Sequence, residues 1–199
     1  MSEAWKKFVS IYISVTIILF VIRCWLALDD INMMVIGKHF MECSYNLYSY
    51  AGEAVFGSGI FMMLFDKWLW KLKYFHFLSS EVPVLSNRYK GTLVYCWNGV
   101  KNCRESEIII KQTFLSVSVK LGTIESHSNS ITAVIENVNN EKQLIYTFIN
   151  TPKAELQDGS AIHFGTAMLC IDDPKRIRGN YYTSRLTRGS MDFMAVSDQ

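Results

Sequence analysis

The chain has 199 residues, 50% of them hydrophobic, and a formal net charge of +2. That length holds one small domain together with an anchoring segment. A charge so near neutrality, with no Lys/Arg-rich run anywhere, argues against a duplex nucleic-acid binder, which would carry a basic stripe.

Long apolar runs dominate up to Leu78, and alternation dominates from Pro83 onward. The change predicts an anchoring region over residues 1–78 and a separate domain over residues 83–199. The first span runs from Phe8 to Leu28, and about 20 apolar residues suffice to cross a bilayer core. Its one charge, Arg23, stands near the end, where a long side chain can snorkel to the interface. Lys6 and Lys7 resemble the charged start of a signal peptide, but the apolar run is too long and no small-residue cleavage site follows.

A second span is expected between Tyr45 and Phe65. It contains Asn46 and Glu53 and is dense in small residues, among them Gly52, Gly57 and Gly59. Small residues let helices approach closely in lipid, and a carboxylate at that depth needs a partner or water. The segment reads either as a weakly hydrophobic helix packed on the first span or as a face for self-association. Lys6 and Lys7 precede the first span and Lys67, Lys71 and Lys73 follow the second, while the loop between them offers Lys38 with Asp29 and Asp30. This bias places both termini in the cytoplasm. Trp68, Trp70, Tyr74 and Phe75 read as an interfacial aromatic belt, followed by a connector from Ser79 to Asn87.

From Tyr89 the chain reads as strands: 89–97, 100–104, 106–113, 115–122, 129–138, 142–150, 161–171, and 176–195 in one or two pieces. Asn98-Gly99 and Asn139-Asn140 are hairpin signals. About eight strands in so short a stretch suggest a small meander barrel, which closes its own edges, with a β-sandwich as the alternative. Leu144, Tyr146, Phe148 and Asn150 share one face. Ser126, Ser128 and Ser130 repeat with period two. Such positions line either solvent or a ligand cavity.

No catalytic constellation emerges. His39, His76, His127 and His163 lack metal-ligand spacing, and there is no GxSxG elbow, P-loop or GxGxxG fingerprint. The five cysteines (Cys24, Cys43, Cys96, Cys103 and Cys170) are odd in number and scattered. They carry no metal-site spacing and read as reduced. An enzyme is therefore not expected.

One row stands out near the C-terminus: Gly179, Tyr181, Thr183, Arg185, Thr187 and Gly189. In an extended chain all six share a face. Tyr181 can stack on a base, the threonines can donate to phosphate oxygens, and Arg185 can pair with phosphate or stack. The same pattern also suits a solvated strand face, where Thr and Tyr are favoured by propensity.

Several short pieces occur in a fixed order after the two spans: Tyr89-Lys90-Gly91, Ile110-Lys111-Gln112-Thr113, Ser126-His127-Ser128, Leu144-Ile145-Tyr146, Phe164-Gly165-Thr166-Ala167, and the run from Gly179 to Gly189. On these pieces the chain resembles, along essentially its whole length, the two-transmembrane, β-strand-rich effectors of bacterial CBASS anti-phage systems, the SMODS-associating family also called CD-NTase-associated protein 15. The resemblance implies a membrane-anchored all-β protein in which two N-terminal transmembrane helices precede a compact eight-stranded, lipocalin-like β-barrel. It implies that the barrel binds a cyclic dinucleotide made by a partner nucleotidyltransferase. It further implies that binding drives homo-oligomerisation through the membrane segments, and that disruption of the bacterial inner membrane aborts infection. No cofactor beyond that signalling ligand is expected. Tyr181, Thr183, Arg185 and Thr187 are then the expected ligand contacts, joined by Gln112, Ser128 and Tyr146 from neighbouring strands. The rivals are a membrane-tethered barrel for a lipid or other apolar ligand, and a structural membrane protein whose barrel binds another protein.

Overall fold

A computed structural model describes residues 3–37, 39–79, 82–97 and 99–196. Lys38, Asn98 and part of the predicted connector lie outside the described residues. The chain divides into two compact units, Met1–Ser79 and Ser80–Gln199.

The first unit is helical, with α1 (Glu3–Leu26), α2 (Leu28–Ile36) and α3 (Phe40–Lys67). At 24 residues α1 rises about 36 Å. It is the one helix among the described residues that is long and apolar enough to cross a membrane. α3 is longer, at 28 residues, but its serines, glycines, Asn46 and Glu53 dilute its apolar character. Tyr50, Ala54, Ser58, Met62 and Phe65 form the buried stripe of α3, at the three- and four-residue spacing that keeps one helical face together. Polar contacts tie that face to α1. Thr16 Oγ1 donates to Ser58 Oγ at 2.7 Å, Arg23 Nε donates to Glu53 Oε2 at 2.8 Å, and the Arg23 guanidinium lies 4.1 Å from the centroid of the Tyr50 ring. Glu53 thus has its partner inside the hairpin.

Two readings of this unit need correction. The stretch between the spans, expected as a loop, contains α2. Asp29 and Asp30 in its first turn complement the positive end of the helix dipole. The expected aromatic belt is split. Trp68 and Tyr74 are exposed, but Trp70 is fully buried, and the Phe75 ring packs 6.2 Å from those of Phe61 and Phe65. After α3 the chain continues through short helical turns at Leu69–Lys71 and Lys73–Phe75, which bring the Phe75 ring onto those of α3.

The second unit is a closed barrel of eight strands in the order β1 to β8, all antiparallel, with β8 pairing back onto β1. The strands are β1 (Arg88–Trp97), β2 (Val100–Gln112), β3 (Val117–Gly122), β4 (Ser126–Val138), β5 (Glu141–Pro152), β6 (His163–Cys170), β7 (Arg176–Thr183) and β8 (Arg188–Ala195). The two segments expected at 100–104 and 106–113 are one continuous strand, β2. The last stretch divides into β7 and β8. Asn139 and Asn140 close the β4–β5 hairpin with φ of 54° and 66°, the left-handed pair that such a turn requires.

Register decides which residues face inward. A bulge between Ser130 and Thr132 leaves Ile131 unpaired and exposed, and it switches the inward positions of β4 from Ser126, Ser128 and Ser130 to Ala133 and Ile135. Gly165 and Gly189 make room inside. A Cβ at Gly165 would lie 2.3 Å from Phe148 Cζ, and one at Gly189 would lie 2.6 Å from the Tyr181 ring and 2.0 Å from the Val94 carbonyl oxygen.

The lumen is apolar at one end, where Tyr89, Ile108, Leu144, Leu169, Ile177 and Phe193 are fully buried. That end is sealed by the entering chain. Tyr89 Oη accepts from Ser86 N at 2.9 Å and donates to the Pro174 carbonyl at 2.7 Å, while Leu85 is buried in the same core. The other end carries the polar residues.

Candidate ligand-binding cavity

At the polar end the barrel encloses a cavity of about 390 Å³, within the range of small-molecule sites. Its deeper surface is formed by Leu93, Leu121, Tyr146, Phe148 and Met191. The Tyr146 ring packs against Phe148 with centroids 5.8 Å apart, and its hydroxyl meets Met191 Sδ at 3.8 Å. Burial pushes this phenol well above its ordinary range. Tyr181, inward on β7, is buried too, and burial together with nearby Tyr95 pushes its phenol up to about 12. Both phenols therefore stay neutral at physiological pH, and both rings stand in the cavity wall with a hydroxyl donor each.

Above them the walls become polar. Asn150 Nδ2 donates to Ser128 Oγ at 2.9 Å and to Ser126 Oγ at 3.2 Å, across the β4–β5 pairing that sets Ser128 opposite Asn150. Thr183 Oγ1 donates to the Thr187 carbonyl at 3.3 Å and so closes the β7–β8 turn. Arg185, in that turn, reaches across the mouth. Its Nη1 donates to Ser160 Oγ at 2.7 Å, and its Nη2 points to the Gly159 carbonyl at 3.4 Å. On another side of the mouth Arg104, on β2, donates from Nε to Tyr95 Oη at 3.0 Å, lies over the Tyr95 ring, and pairs with Glu125. Its hydrogen bond with Glu125, reinforced by Tyr95, holds the guanidinium above its ordinary value.

Six of the seven expected contact residues line this cavity: Ser128, Tyr146, Tyr181, Thr183, Arg185 and Thr187. The reason is not wholly the expected one. Strand alternation ends at Thr183, and a turn with Leu186 at φ 61° carries Arg185 and Thr187 to the rim. Gly179 lies deeper, paired between Leu169 and Met191, away from the lining. Gln112 is the exception. It faces inward on β2 but at the sealed end, where its Oε1 accepts from Leu85 N at 3.0 Å and its Nε2 donates to the Pro83 carbonyl at 2.9 Å. It fastens the entering chain and is not a cavity residue.

The sequence pattern does not single out Tyr95, Arg104, Glu125 or Ser160, and His163 is weighed there only as a metal ligand, yet all five line the cavity. Tyr95 was within reach, since it alternates with Tyr89, Gly91 and Leu93. Arg104 and Glu125 gave no local signal, because only the strand register brings the β3–β4 turn beside β2.

Taken together, the cavity offers two guanidiniums at its mouth, hydroxyls and an amide on its walls, and aromatic rings below. Such a set suits an anion that carries flat, partly apolar rings. Residues 80–195 match the family model described as "Cap15, cyclic dinucleotide receptor domain". A CD-NTase-associated protein 15 from Staphylococcus schleiferi is 34% identical over 127 residues, which cover 64% of this chain and 68% of that protein. A protein of the same name from Yersinia aleksiciae is 33% identical over 165 residues, 77% of each chain.

Proposed function

The chain belongs to the Cap15 family, and from that membership we propose that its barrel is a cyclic-dinucleotide sensor and the whole chain a CBASS effector acting on a membrane. The observation that carries this reading is the cavity itself. Two cationic rim residues from separate elements, Arg104 and Arg185, stand above the buried rings of Tyr146, Phe148 and Tyr181. A cyclic dinucleotide has two phosphates and two flat bases. Guanidiniums pair with phosphate in a fork geometry, and aromatic rings accept bases by stacking. The barrel needs no catalytic group for this, and no resident cofactor is assigned to it.

In this reading α1 anchors the chain in the bacterial inner membrane and α3 is a second span, with both termini cytoplasmic. Support comes from the outward faces of the helices. Ile17, Ile18 and Val21 of α1 and Phe56 and Met63 of α3 are all more than half exposed, and apolar surface of that extent is not left to water by a stable soluble fold. Ligand binding then favours a homo-oligomer whose helices disrupt the bilayer and abort infection. The ligand need only stabilise the assembled state more than the monomer.

The reading is tested by thermal shift of the full-length protein in detergent against cyclic dinucleotides and fatty acids, since a ligand that binds only the native state raises its stability. A shift with a cyclic dinucleotide and none with fatty acids is expected. The reverse pattern would replace the sensor with a lipid-binding barrel.

A further inference from the structure

Glu125 is the one carboxylate among the described residues that line the cavity. A negative charge at the mouth of an anion site works against the ligand unless it has another use. Here it is spent on Arg104, to which it is ion-paired. The backbone of Glu125 is held in the β3–β4 turn. Its carbonyl accepts from Lys153 N at 2.9 Å, and its N–H donates to Thr123 Oγ1 at 3.3 Å. Its side chain is half-exposed, so the carboxylate can leave Arg104 while the turn stays in place. Arg104 itself is oriented from the other side by Tyr95. A carboxylate and a phosphate present oxygens to a guanidinium in the same forked geometry. Glu125 therefore holds the kind of place on Arg104 that a phosphate oxygen would suit.

Resting on the sensor reading above, we infer that Glu125 is the resting counter-ion of Arg104 and competes with the ligand's phosphate for it, so that this one carboxylate sets the concentration at which the receptor fills. The exchange swaps one ion pair for another. The pair keeps the arginine at the cavity without leaving it unpaired, and a ligand must bring a phosphate to the rim and bases to the rings before the swap becomes favourable.

The test is calorimetric titration of full-length protein in detergent with cyclic dinucleotides carrying adenine, guanine, cytosine and uracil, on wild type, Glu125→Gln, Arg104→Gln and the double variant. Glu125→Gln should bind about two- to fivefold more tightly than wild type, the range set by a half-exposed ion pair. Arg104→Gln should bind more weakly, and in that background the gain from Glu125→Gln should shrink towards none, because nothing remains to compete for. Ligand-free melting of each variant checks that the barrel is folded, and Glu125→Ala gives the same comparison if the glutamine makes a bond of its own. If wild type binds and Glu125→Gln binds no better or worse, Glu125 recognises the ligand directly or not at all, and the inference falls while the sensor reading stands. An equal gain with and without Arg104 would mean general repulsion and overturns it as well. If wild type takes none of the panel, the sensor reading falls and carries this inference with it.

Discussion

Arg185 and Tyr181 stand one behind the other in the same cavity and should fail in different ways. Arg185 sits in a turn, held by Ser160 and the Gly159 carbonyl, so its loss leaves the inward core intact. A hydrogen bond to a charged group contributes about 1.5–3 kcal/mol, so Arg185→Ala should weaken cyclic-dinucleotide binding by about tenfold or more with its melting temperature little changed. Calorimetry beside a ligand-free melt checks both halves. Tyr181 acts on stability as well. Its phenol is held neutral up to about 12, against about 10 in the unfolded chain. The folded state therefore keeps a proton that the unfolded state has lost. The sign follows: this contribution is complete below about pH 10 and is lost as pH rises towards 12. Urea melts across that window should show stability falling, and Tyr181→Phe should remove part of the fall. A Tyr181→Phe protein with the same alkaline loss as wild type would show that other groups cause it. Tyr146 is fully enclosed, and Tyr146→Ala should cost the barrel about 3–5 kcal/mol, the range for deleting a buried aromatic ring.

Among the elements, β8 and β4 show how little freedom the barrel leaves. Gly189 comes so close to the backbone of β1 and to the Tyr181 ring that Gly189→Val must push one of them aside. Overpacking of this kind costs about 1–3 kcal/mol, to be read from denaturant midpoints, and it should also disturb ligand binding, because both neighbours of Gly189 lie beside the cavity lining. In β4 the bulge at Ile131 allows a serine-lined upper half and an apolar lower half on one strand. Alternation within single strands was legible: Leu144, Tyr146, Phe148 and Asn150 do share the inner face, and the asparagine pair does make its hairpin. Joins and breaks were less so. Nothing local distinguishes a break between residues 104 and 106 from the continuous β2, because that choice is made by pairing with β1 and β3. Trp70 reads as a belt residue from its lysine neighbours, yet its side chain is fully buried.

On the scale of the whole molecule, the chain divides into two compact units, the barrel has a buried core of its own residues, and a unit with its own core is expected to fold alone. Deleting residues 1–79 should therefore leave a barrel that binds its ligand like the full chain but neither partitions with membranes nor harms cells. Ligand titration, membrane fractionation and growth on induction check these three outcomes, and toxicity of the isolated barrel would remove the membrane from the mechanism. Local pattern alone carried the helical-then-β division, the apolar first helix, the strand-rich second half and most of the row near the C-terminus. These depend on composition and on periods of two or four residues, which are local. The tertiary structure alone decided that the row bends at Leu186 yet still meets at one rim, that Gln112 closes the far end, and that Arg104 and Glu125 share the mouth. Each of these depends on the register between strands distant in sequence, a long-range property that no single segment encodes.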